Sequence, residues 1–273
     1  MILFLKSLIL DIRFLIIPKI NPYYKLEFIL KKYYTISKNY TIGFTAGKSH
    51  VNILGESFFY NDKFEPAFLQ NIYVDHAFLA KFIKPDSVII DIGANIGQFN
   101  FFCKKFIKAY RVYSFEPIKS TFEVLKQNSP NYVYNLAISS QRDMTMYISK
   151  ETSLLNSAMQ SDIDAKKEMV RTIGLDEVEE IKNEKSIDLL KIDTEGTELD
   201  VLKTGIHVLK KSKYILVEAS ANRKSLGNVI ELITFLSTNI PSIRIVEIGR
   251  KYINKDKTIG AFDVLFFNET TNY

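Results

Sequence analysis

From residue 87 onward the chain alternates short apolar runs with segments of helical periodicity. The run at 87–91 is followed by a turn and by a helical pattern at 98–108, and further apolar runs begin at 111 and 187. Short apolar runs that alternate with helices are typical of parallel strands buried on both faces of a sheet. The sequence therefore predicts a doubly wound α/β fold whose sheet becomes mixed toward its C-terminal edge.

Periodicity and turn residues place elements along the whole chain. Helices are predicted at 1–17, 23–40, 66–83, 98–108, 121–128, 197–210 and 228–237. Strands are predicted at 41–44, 50–54, 57–60, 87–91, 111–115, 132–138, 144–148, 187–192, 214–217, 243–248 and 261–267. The polar, aperiodic segment 149–164 predicts a loop over a site. We divide the chain into an N-terminal extension, 1–80, and an α/β domain, 81–273.

Composition and charge exclude several classes of protein. The 273 residues are 47% hydrophobic and 25% charged, which excludes a disordered or low-complexity chain. Residues 1–60 hold eight basic and three acidic side chains and so account for the whole net charge of +5. This excess predicts an anionic partner such as a membrane surface or a charged substrate, or else a solvated face. It is too small and too poor in arginine to indicate nucleic-acid binding.

The first 17 residues are apolar apart from Lys6, Ser7, Asp11 and Arg13. A helix of this length measures roughly 25 Å, which is shorter than the hydrocarbon core of a bilayer. No small-residue cleavage site follows, as a signal peptide would require. We therefore expect a helix docked on the rest of the chain, with peripheral contact to a membrane as the alternative.

Acidic residues follow four of the predicted strands at the point where each strand ends. They are Asp91, Glu116, Asp193 and Glu218. Ligands of open α/β sheets bind in the crevice beyond the carboxyl ends of the strands. The sequence therefore predicts a binding site formed by these acidic strand ends.

The first of these ends continues into a glycine-containing turn at 91–97. Gly93 and Gly97 allow a tight turn and a close approach of the backbone to a ligand. The glycine fingerprint of nicotinamide dinucleotide sites would need glycine at two further positions, where Asn95 and Gln98 stand instead. A dinucleotide site is therefore disfavoured.

The acidic residue that follows the second of these strands is suited to binding a nucleoside. Glu116 lies 25 residues after Asp91, at the end of the next predicted strand. A carboxylate in that place can accept hydrogen bonds from both hydroxyls of a ribose. The carboxylate of Asp91 would be unfavourable beside a pyrophosphate, but it suits a positively charged amino group or sulfonium. The two carboxylates therefore predict a pocket for a positively charged nucleoside without phosphates, a description that S-adenosylmethionine meets.

Four segments together resemble the FkbM-type methyltransferases in order and spacing. These segments are 88–97, 115–117, 173–178 and 190–198, and the resemblance spans roughly residues 50–220. It implies the Rossmann-like class I methyltransferase fold, with a mostly parallel seven-stranded sheet and an antiparallel C-terminal edge strand. It also implies an S-adenosylmethionine-dependent methyltransferase (EC 2.1.1) that acts on hydroxyl groups of sugars, polysaccharides or natural products. The basic, aromatic N-terminal part extends this expectation to lipid-linked glycans. We expect the protein in the cytoplasm, with peripheral contact to a membrane as the alternative.

The same resemblance suggests roles for individual residues. The residues implied to bind the cofactor are Asp91, Gly93, Asn95 and Gly97 at the methionine end, Glu116 at the ribose, and Asn135 and Ala137 near the adenine. Glu195, Asp193 and Lys191 are the implied catalytic residues.

Two carboxylates beside the transferable methyl could take different parts in the reaction. We predict that Glu195 accepts the proton of the attacking hydroxyl and that Asp193 orients the acceptor or the cofactor, and the reverse assignment stays open. The pair could also hold a divalent metal ion, but the sequence shows no third ligand, so no metal is predicted. The two acids could instead cap the following helix.

The sequence leaves three alternatives to O-methylation open. The enzyme could methylate a carboxylate or an amine, or the chain could be a non-catalytic module that retains the fold. The histidines His50, His76 and His207 are expected to be surface or core residues without a catalytic role. Cys103, the single cysteine, is expected to be an inert buried thiol, and the absence of a disulfide indicates a reducing compartment.

Overall fold

A computed structural model describes residues 2–18, 20–38, 44–45, 48–53, 56–61, 65–148, 166–221, 228–254 and 256–271. The helices are α1 (Ile2–Ile16), α2 (Pro22–Lys38), α3 (Glu65–His76), α4 (Gln98–Phe102), α5 (Lys119–Asn128), α6 (Glu179–Lys182), α7 (Glu198–Lys203), α8 (Ile206–Lys211) and α9 (Val229–Asn239). A π-helical turn, Cys103–Ile107, continues α4, and short 3-10 turns span Ala77–Lys81, Leu175–Glu177 and Glu269–Thr271.

The strands form one large sheet and two small ones. They are β1 (Phe44–Thr45), β2 (Lys48–Ile53), β3 (Glu56–Tyr60), β4 (Val88–Ile92), β5 (Arg111–Phe115), β6 (Val133–Tyr134), β7 (Ala137–Ile138), β8 (Asp143–Ile148), β9 (Lys166–Ile173), β10 (Ile187–Ile192), β11 (Ser212–Ser220), β12 (Ile243–Ile253) and β13 (Ile259–Asn268). The large sheet has the order β12-β13-β11-β10-β4-β5-β6, and the small sheets have the orders β1-β2-β3 and β7-β9-β8. The predicted loop at 149–164 lies outside the described residues.

The large sheet is mostly parallel, as predicted, but its antiparallel strand is not at the edge. β13 lies between β11 and β12 and is antiparallel to both, so β12 forms the edge. Val264, Leu265 and Phe266 of β13 are almost fully enclosed, as expected of an interior strand, whereas Ile245 and Ile248 of β12 are about half exposed.

Successive residues of the central strands enter two different hydrophobic cores. Ile89 and Leu189 face a core shared with α3 and α4, whereas Ile90 and Leu190 face a core shared with α7, α8 and α9. Because side chains alternate across a strand, a sheet covered on both faces needs apolar residues at every position. This explains the continuous apolar runs in the sequence.

The N-terminal extension packs against the first of these cores. Phe14 of α1 contacts Phe28 of α2 and Tyr73 of α3, with ring centroids 5.3 and 6.0 Å apart. Tyr73 in turn meets Phe102 beneath the sheet at 5.2 Å. α1 is therefore docked on the rest of the chain, as predicted. No helix in the described residues is both long enough and apolar enough to cross a membrane.

Two predicted elements are divided in the structure. The predicted strand 132–138 forms β6 in the large sheet and β7 in a small one, because the chain leaves the sheet at Asn135. The predicted helix 197–210 is interrupted at Gly205, where a Cβ atom would lie 2.6 Å from Leu175. Strand β9 was not predicted, since its mainly polar, exposed residues produce no apolar run.

The loops that follow β4 and β10 are in close backbone contact. We call them the β4 loop (residues 93–97) and the β10 loop (residues 193–197). The Asp193 amide donates to the Ile92 carbonyl over 3.0 Å. Gly93 has φ +80°, and a Cβ atom built there would lie 1.8 Å from the Asp193 carbonyl oxygen. Only glycine therefore permits both the conformation and the contact.

Replacing Gly93 tests this contact. Gly93→Ala should lower the free energy of unfolding by about 2–5 kcal/mol, because it adds a left-handed non-glycine residue and a backbone overlap. The control is Gly174→Ala, where φ is −70° and the nearest atoms belong to the flexible Glu177 side chain. Chemical denaturation measures both, and an equal cost for the two variants would contradict the proposed close packing of the loops.

Candidate active site

A cavity of about 340 Å³ lies at the carboxyl ends of β4, β5 and β10. The β4 and β10 loops and the residues after β5 form its floor, and α3, β8 and β12 contribute side chains to its walls. This is the crevice at which open α/β sheets bind ligands. The cavity is also of the size typical of small-molecule sites, roughly 300–1,000 Å³.

A buried ammonium group joins two of the predicted acids. Lys191 of β10 lies opposite Asp91 of β4 in the parallel register. Its Nζ is 3.1 Å from Asp91 Oδ1 and 3.3 Å from Asp193 Oδ2. Burial disfavours the charge on Lys191, but the two carboxylates outweigh it and raise its pKa above the usual value. Lys191 is therefore a fixed positive charge at the cavity wall.

Glu116 is enclosed at the end of β5. Its Oε2 accepts the Asn95 amide over 3.1 Å and its Oε1 accepts the Ile118 amide over 2.9 Å. Burial raises the pKa of Glu116 to about 7, although the two amides oppose that shift. The carboxyl group therefore lines the cavity at a pKa close to neutrality.

The β10 loop is held by a residue to which the sequence analysis assigned no role. Glu198 is buried, and its Oε1 accepts the Gly196 amide over 2.8 Å and both the amide and the hydroxyl of Thr194 over 3.2 Å. The amides of Thr194 and Gly196 are thus satisfied by Glu198. Asp193 and Glu195 line the cavity, and Glu195 has the uncommon φ of +55°.

Three carboxyl groups meet at one side of the cavity. Oxygen atoms of Asp193, Glu195 and Glu218 all lie within 4.8 Å of one another. Burial and the charge of Asp193 raise the pKa of Glu218 well above the usual range. The ammonium of Lys191 and a hydrogen bond from Glu218 lower the pKa of Asp193, and they outweigh the opposite effect of burial. Glu218 therefore keeps a proton and donates it in a hydrogen bond to the Asp193 carboxylate.

Most of the residues assigned from the sequence line this cavity, and three do not. The lining residues are Gly93, Asn95, Glu116, Ala137, Lys191, Asp193 and Glu195. Asp91 lies beneath the cavity and holds Lys191. Gly97 faces Leu125 of α5. The side-chain Nδ2 of Asn135 donates to the backbone carbonyls of Glu116 and Pro117. These three therefore position lining residues rather than forming the surface themselves.

Several lining residues had not been identified from the sequence. Gln98 is a buried polar residue in a phenylalanine-rich helix, and its Nε2 has no hydrogen-bond partner among the described residues. Arg250 and Tyr252 reach the cavity from β12, and Asn71 reaches it from α3. The isolated polar character of Gln98 was a signal in the sequence, whereas no motif marks the other three.

His76, His207 and Cys103 all lie outside the residues that line the cavity. His76 is buried, its Nδ1 lies 3.2 Å from the Ile72 carbonyl, and burial lowers its pKa to about 4. His207 is exposed and pairs with Asp176 at 3.0 Å. Cys103 is buried, and burial raises the pKa of its thiol well above the usual value.

The family profile described as the Methyltransferase FkbM domain matches residues 91–239, which is more than half of the chain. The match contains the β4 loop, Glu116 and the β10 loop. This chain belongs to the FkbM methyltransferase family.

Individual members of the FkbM family are similar over part of their length. The 31-O-demethyl-FK506 methyltransferase FkbM of Streptomyces tacrolimicus is 31% identical over 138 residues, which are 48% of this chain and 49% of that protein. The hexuronic acid methyltransferase AglP of Haloferax volcanii is 33% identical over 146 residues, or 50% of this chain and 58% of AglP. The chain thus spans about half the length of these relatives.

Solved structures that align with this chain are more distant in sequence. The methyltransferase FkbM from Methylobacillus flagellatus aligns with a TM-score of 0.44 and 14% identity over 76% of this chain and 55% of that one. The M. jannaschii protein TYW2, crystallised with AdoMet, aligns with a TM-score of 0.45 and 11% identity over 83% of this chain and 89% of that one. Membership of the FkbM family rests on the sequence match.

The proton on Glu218 can be tested through stability. In the unfolded chain Glu218 ionises in the ordinary carboxyl range, whereas the folded protein keeps the proton to higher pH. The stability of the wild type therefore falls as pH rises above that range, by at most about 1.4 kcal/mol per pH unit from this group. Glu218→Gln has no proton to lose and can still donate to Asp193. The unfolding free energy of the variant, relative to that of the wild type, should therefore increase from about pH 5 to about pH 8.

Denaturant titrations at both pH values measure this difference, with Glu123→Gln on the exposed face of α5 as the matched control. A difference in unfolding free energy between Glu218→Gln and the wild type that is the same at both pH values would disprove the protonated pair. If added Mg²⁺ stabilised the wild type but not the variant, the three carboxyl groups would instead be ligands of a cation.

Proposed function

We propose that this chain transfers a methyl group from S-adenosylmethionine to a hydroxyl group of a glycan, a lipid-linked glycan or a natural product. The observation that carries the proposal is the cavity at three adjacent strand ends, with Glu116 on one side of the β4 loop and the Lys191–Asp193 pair on the other. Membership of the FkbM family supports the same reaction class.

The lining residues fit S-adenosylmethionine better than a nucleotide with phosphates. Glu116 presents a carboxyl group where a ribose would lie, and Asp193 and Glu195 add negative charge. Acidic side chains attract a sulfonium or ammonium group and repel a pyrophosphate. The buried Gln98 Nε2 adds a hydrogen-bond donor whose partner is not supplied by the described residues. The donor set is therefore that of a cationic nucleoside site.

Bound S-adenosylmethionine supplies an electrophilic methyl group on a positively charged sulfur. The protein must hold the acceptor oxygen in line with that group and take away the hydroxyl proton. Glu195 lines the cavity beside Asp193, and its carboxylate accepts the proton in our proposal. Lys191 keeps Asp193 ionised and oriented, and Glu218 donates its own proton to Asp193 in a hydrogen bond.

The acceptor class is supported by what the names of two relatives state. The Streptomyces tacrolimicus relative is named for an O-demethylated substrate, and AglP is named for a hexuronic acid. A hexuronic acid offers a carboxylate as well as hydroxyl groups, and Arg250 lines the cavity as a cation that could receive a carboxylate. Carboxyl methylation is therefore the second candidate. Base treatment of the product separates the two, because methyl esters hydrolyse and methyl ethers survive.

The role of Glu116 predicts a pH dependence of cofactor binding. With its pKa near 7, Glu116 is mostly protonated at lower pH, and a ligand whose hydroxyls donate to the carboxylate must first displace that proton. The affinity for S-adenosylhomocysteine should therefore rise by up to about tenfold per pH unit below pH 7 and level off above it.

Isothermal titration calorimetry in buffers of different ionisation enthalpy measures both the affinity and the proton released. Glu116→Gln should remove the pH dependence and weaken binding about 5- to 150-fold near pH 8, which corresponds to about 1–3 kcal/mol for the lost hydrogen bonds to a charged group. An unchanged pH profile in this variant would show that Glu116 does not contact the ligand.

The role of Glu195 predicts a loss of turnover without a loss of binding. Glu195→Gln keeps the size of the side chain but cannot accept the hydroxyl proton. We expect methyl incorporation to fall at least about 100-fold, while the affinity for S-adenosylhomocysteine stays within about threefold. The assay uses radiolabelled S-adenosylmethionine with a panel of hydroxylated sugars and hexuronic acids, and Glu123→Gln is the control. Full activity of Glu195→Gln would transfer the role of base to Asp193.

A further inference from the structure

Helix α1 packs Phe14 into the core but has a second apolar face that points away from the protein. Five aliphatic side chains on its outer face have exposed fractions that run from 42% for Leu8 to 75% for Ile16. They are Leu8, Ile9, Ile12, Leu15 and Ile16. The acidic Asp11 of the same helix is buried. A helix of a protein surrounded by water usually has the opposite arrangement, with charged residues outside and aliphatic residues inside.

Polar contacts keep α1 in this orientation. Asp11 Oδ2 accepts a hydrogen bond from the Tyr33 hydroxyl of α2 over 2.6 Å. Its Oδ1 accepts one from the side-chain Nε2 of Gln70 in α3 over 2.8 Å. Rotation of α1 about its axis would bring its aliphatic residues inward only by breaking these buried hydrogen bonds. Leaving a buried carboxylate without partners is costly, so the exposed apolar face is part of the fold.

Helix α2 extends the apolar surface. Leu26 and Leu30 are more than half exposed, as is Tyr23 at its N-terminus. Lys25 of α2 donates to the carbonyls of Leu15 and Ile17, so the start of α2 lies against the end of α1. We call the exposed residues of α1 and α2 together the N-terminal apolar face.

The segment that carries this face also carries the net charge of the protein. Residues 2–38 contain seven basic and two acidic side chains, a balance of +5, which equals the charge of the whole chain. Of these, Asp11 and Lys25 are buried and offset one another. An exposed aliphatic surface on a basic segment matches the interface of a bilayer that contains anionic lipids. Tyrosine, as at Tyr23, is enriched at the headgroup level of membranes.

We propose that the N-terminal apolar face binds the surface of an anionic lipid bilayer, with α1 lying in the interface rather than across it. α1 has 15 residues, which at about 1.5 Å per residue is too short to span the hydrocarbon core. Charge disfavours a second copy of the chain as the occupant, because two such faces would bring two segments of +5 together. The proposal rests on this surface alone and does not depend on the proposed function.

Vesicle co-sedimentation of the full chain tests the proposal. The wild type should bind vesicles of phosphatidylcholine and phosphatidylserine at least about tenfold more tightly than vesicles of phosphatidylcholine alone, and less tightly as salt is raised. The double variant Ile12→Gln/Ile16→Gln should lose at least about tenfold of this binding. A second pair, Leu26→Gln/Leu30→Gln on α2, should do the same and guards against a folding defect confined to α1.

The matched control replaces two exposed isoleucines elsewhere, Ile230→Gln on α9 and Ile248→Gln on β12. It should bind vesicles as the wild type does. Failure of the wild type to bind either kind of vesicle would overturn the proposal, as would equal binding by the control and both variant pairs. A dimer of the wild type in size-exclusion chromatography that Ile12→Gln/Ile16→Gln dissociates would assign the face to a second copy of the chain instead.

Discussion

The ammonium group of Lys191 connects the two strand ends on which the candidate site depends. It joins Asp91 of β4 to Asp193 at the start of the β10 loop, and both Lys191 and Asp91 are almost completely buried. Isolated charges at such depth would be costly, so Lys191 and Asp91 stabilise one another, and the partly exposed Asp193 adds a second carboxylate to the ammonium. The Lys191 ammonium also lies 5.2 Å over the Phe99 ring, which adds a favourable contact on its remaining side. The parallel register of β4 and β10 makes this arrangement possible, because it places residues 91 and 191 side by side.

The carboxyl groups at the cavity differ in pKa because their surroundings differ. Asp193 stays ionised beside Lys191, Glu218 keeps a proton beside Asp193, and Glu116 has a pKa near neutrality because it is buried. Pairs of acids whose pKa values are separated in this way can act as acceptor and donor of protons in one site. The contrast therefore supports an active centre rather than a cluster of structural acids. Glu198 contributes by accepting the amides of Thr194 and Gly196 in the β10 loop, from which Asp193 and Glu195 line the cavity.

The N-terminal apolar face and the cavity are linked through α3. Gln70 of α3 binds Asp11 of α1, and the next residue, Asn71, lines the cavity. If α1 lies on a bilayer, the wall of the cavity formed by α3 is held at a fixed relation to the lipid surface.

The sequence by itself determined the α/β alternation, the acidic strand ends and the family. Strands β4, β5 and β10 could be located within about a residue, because a strand buried on both faces leaves an unbroken apolar run. Glu116, Asp193 and Glu195 could be assigned to the site, because they follow such strands directly.

Only the tertiary structure showed that Asp91 and Asn135 support lining residues, that Glu218 completes the group of three acids, and that Arg250 and Tyr252 reach the cavity. These outcomes depend on where β12 and β13 join the sheet and on which partner a buried charge finds across the fold. The orientation of α1 was likewise decided by long-range contacts, since Asp11 is held by Tyr33 and Gln70. A local pattern predicts the elements because periodicity is a property of neighbouring residues. It cannot predict pairings between residues separated by tens of positions, because those depend on how the elements pack.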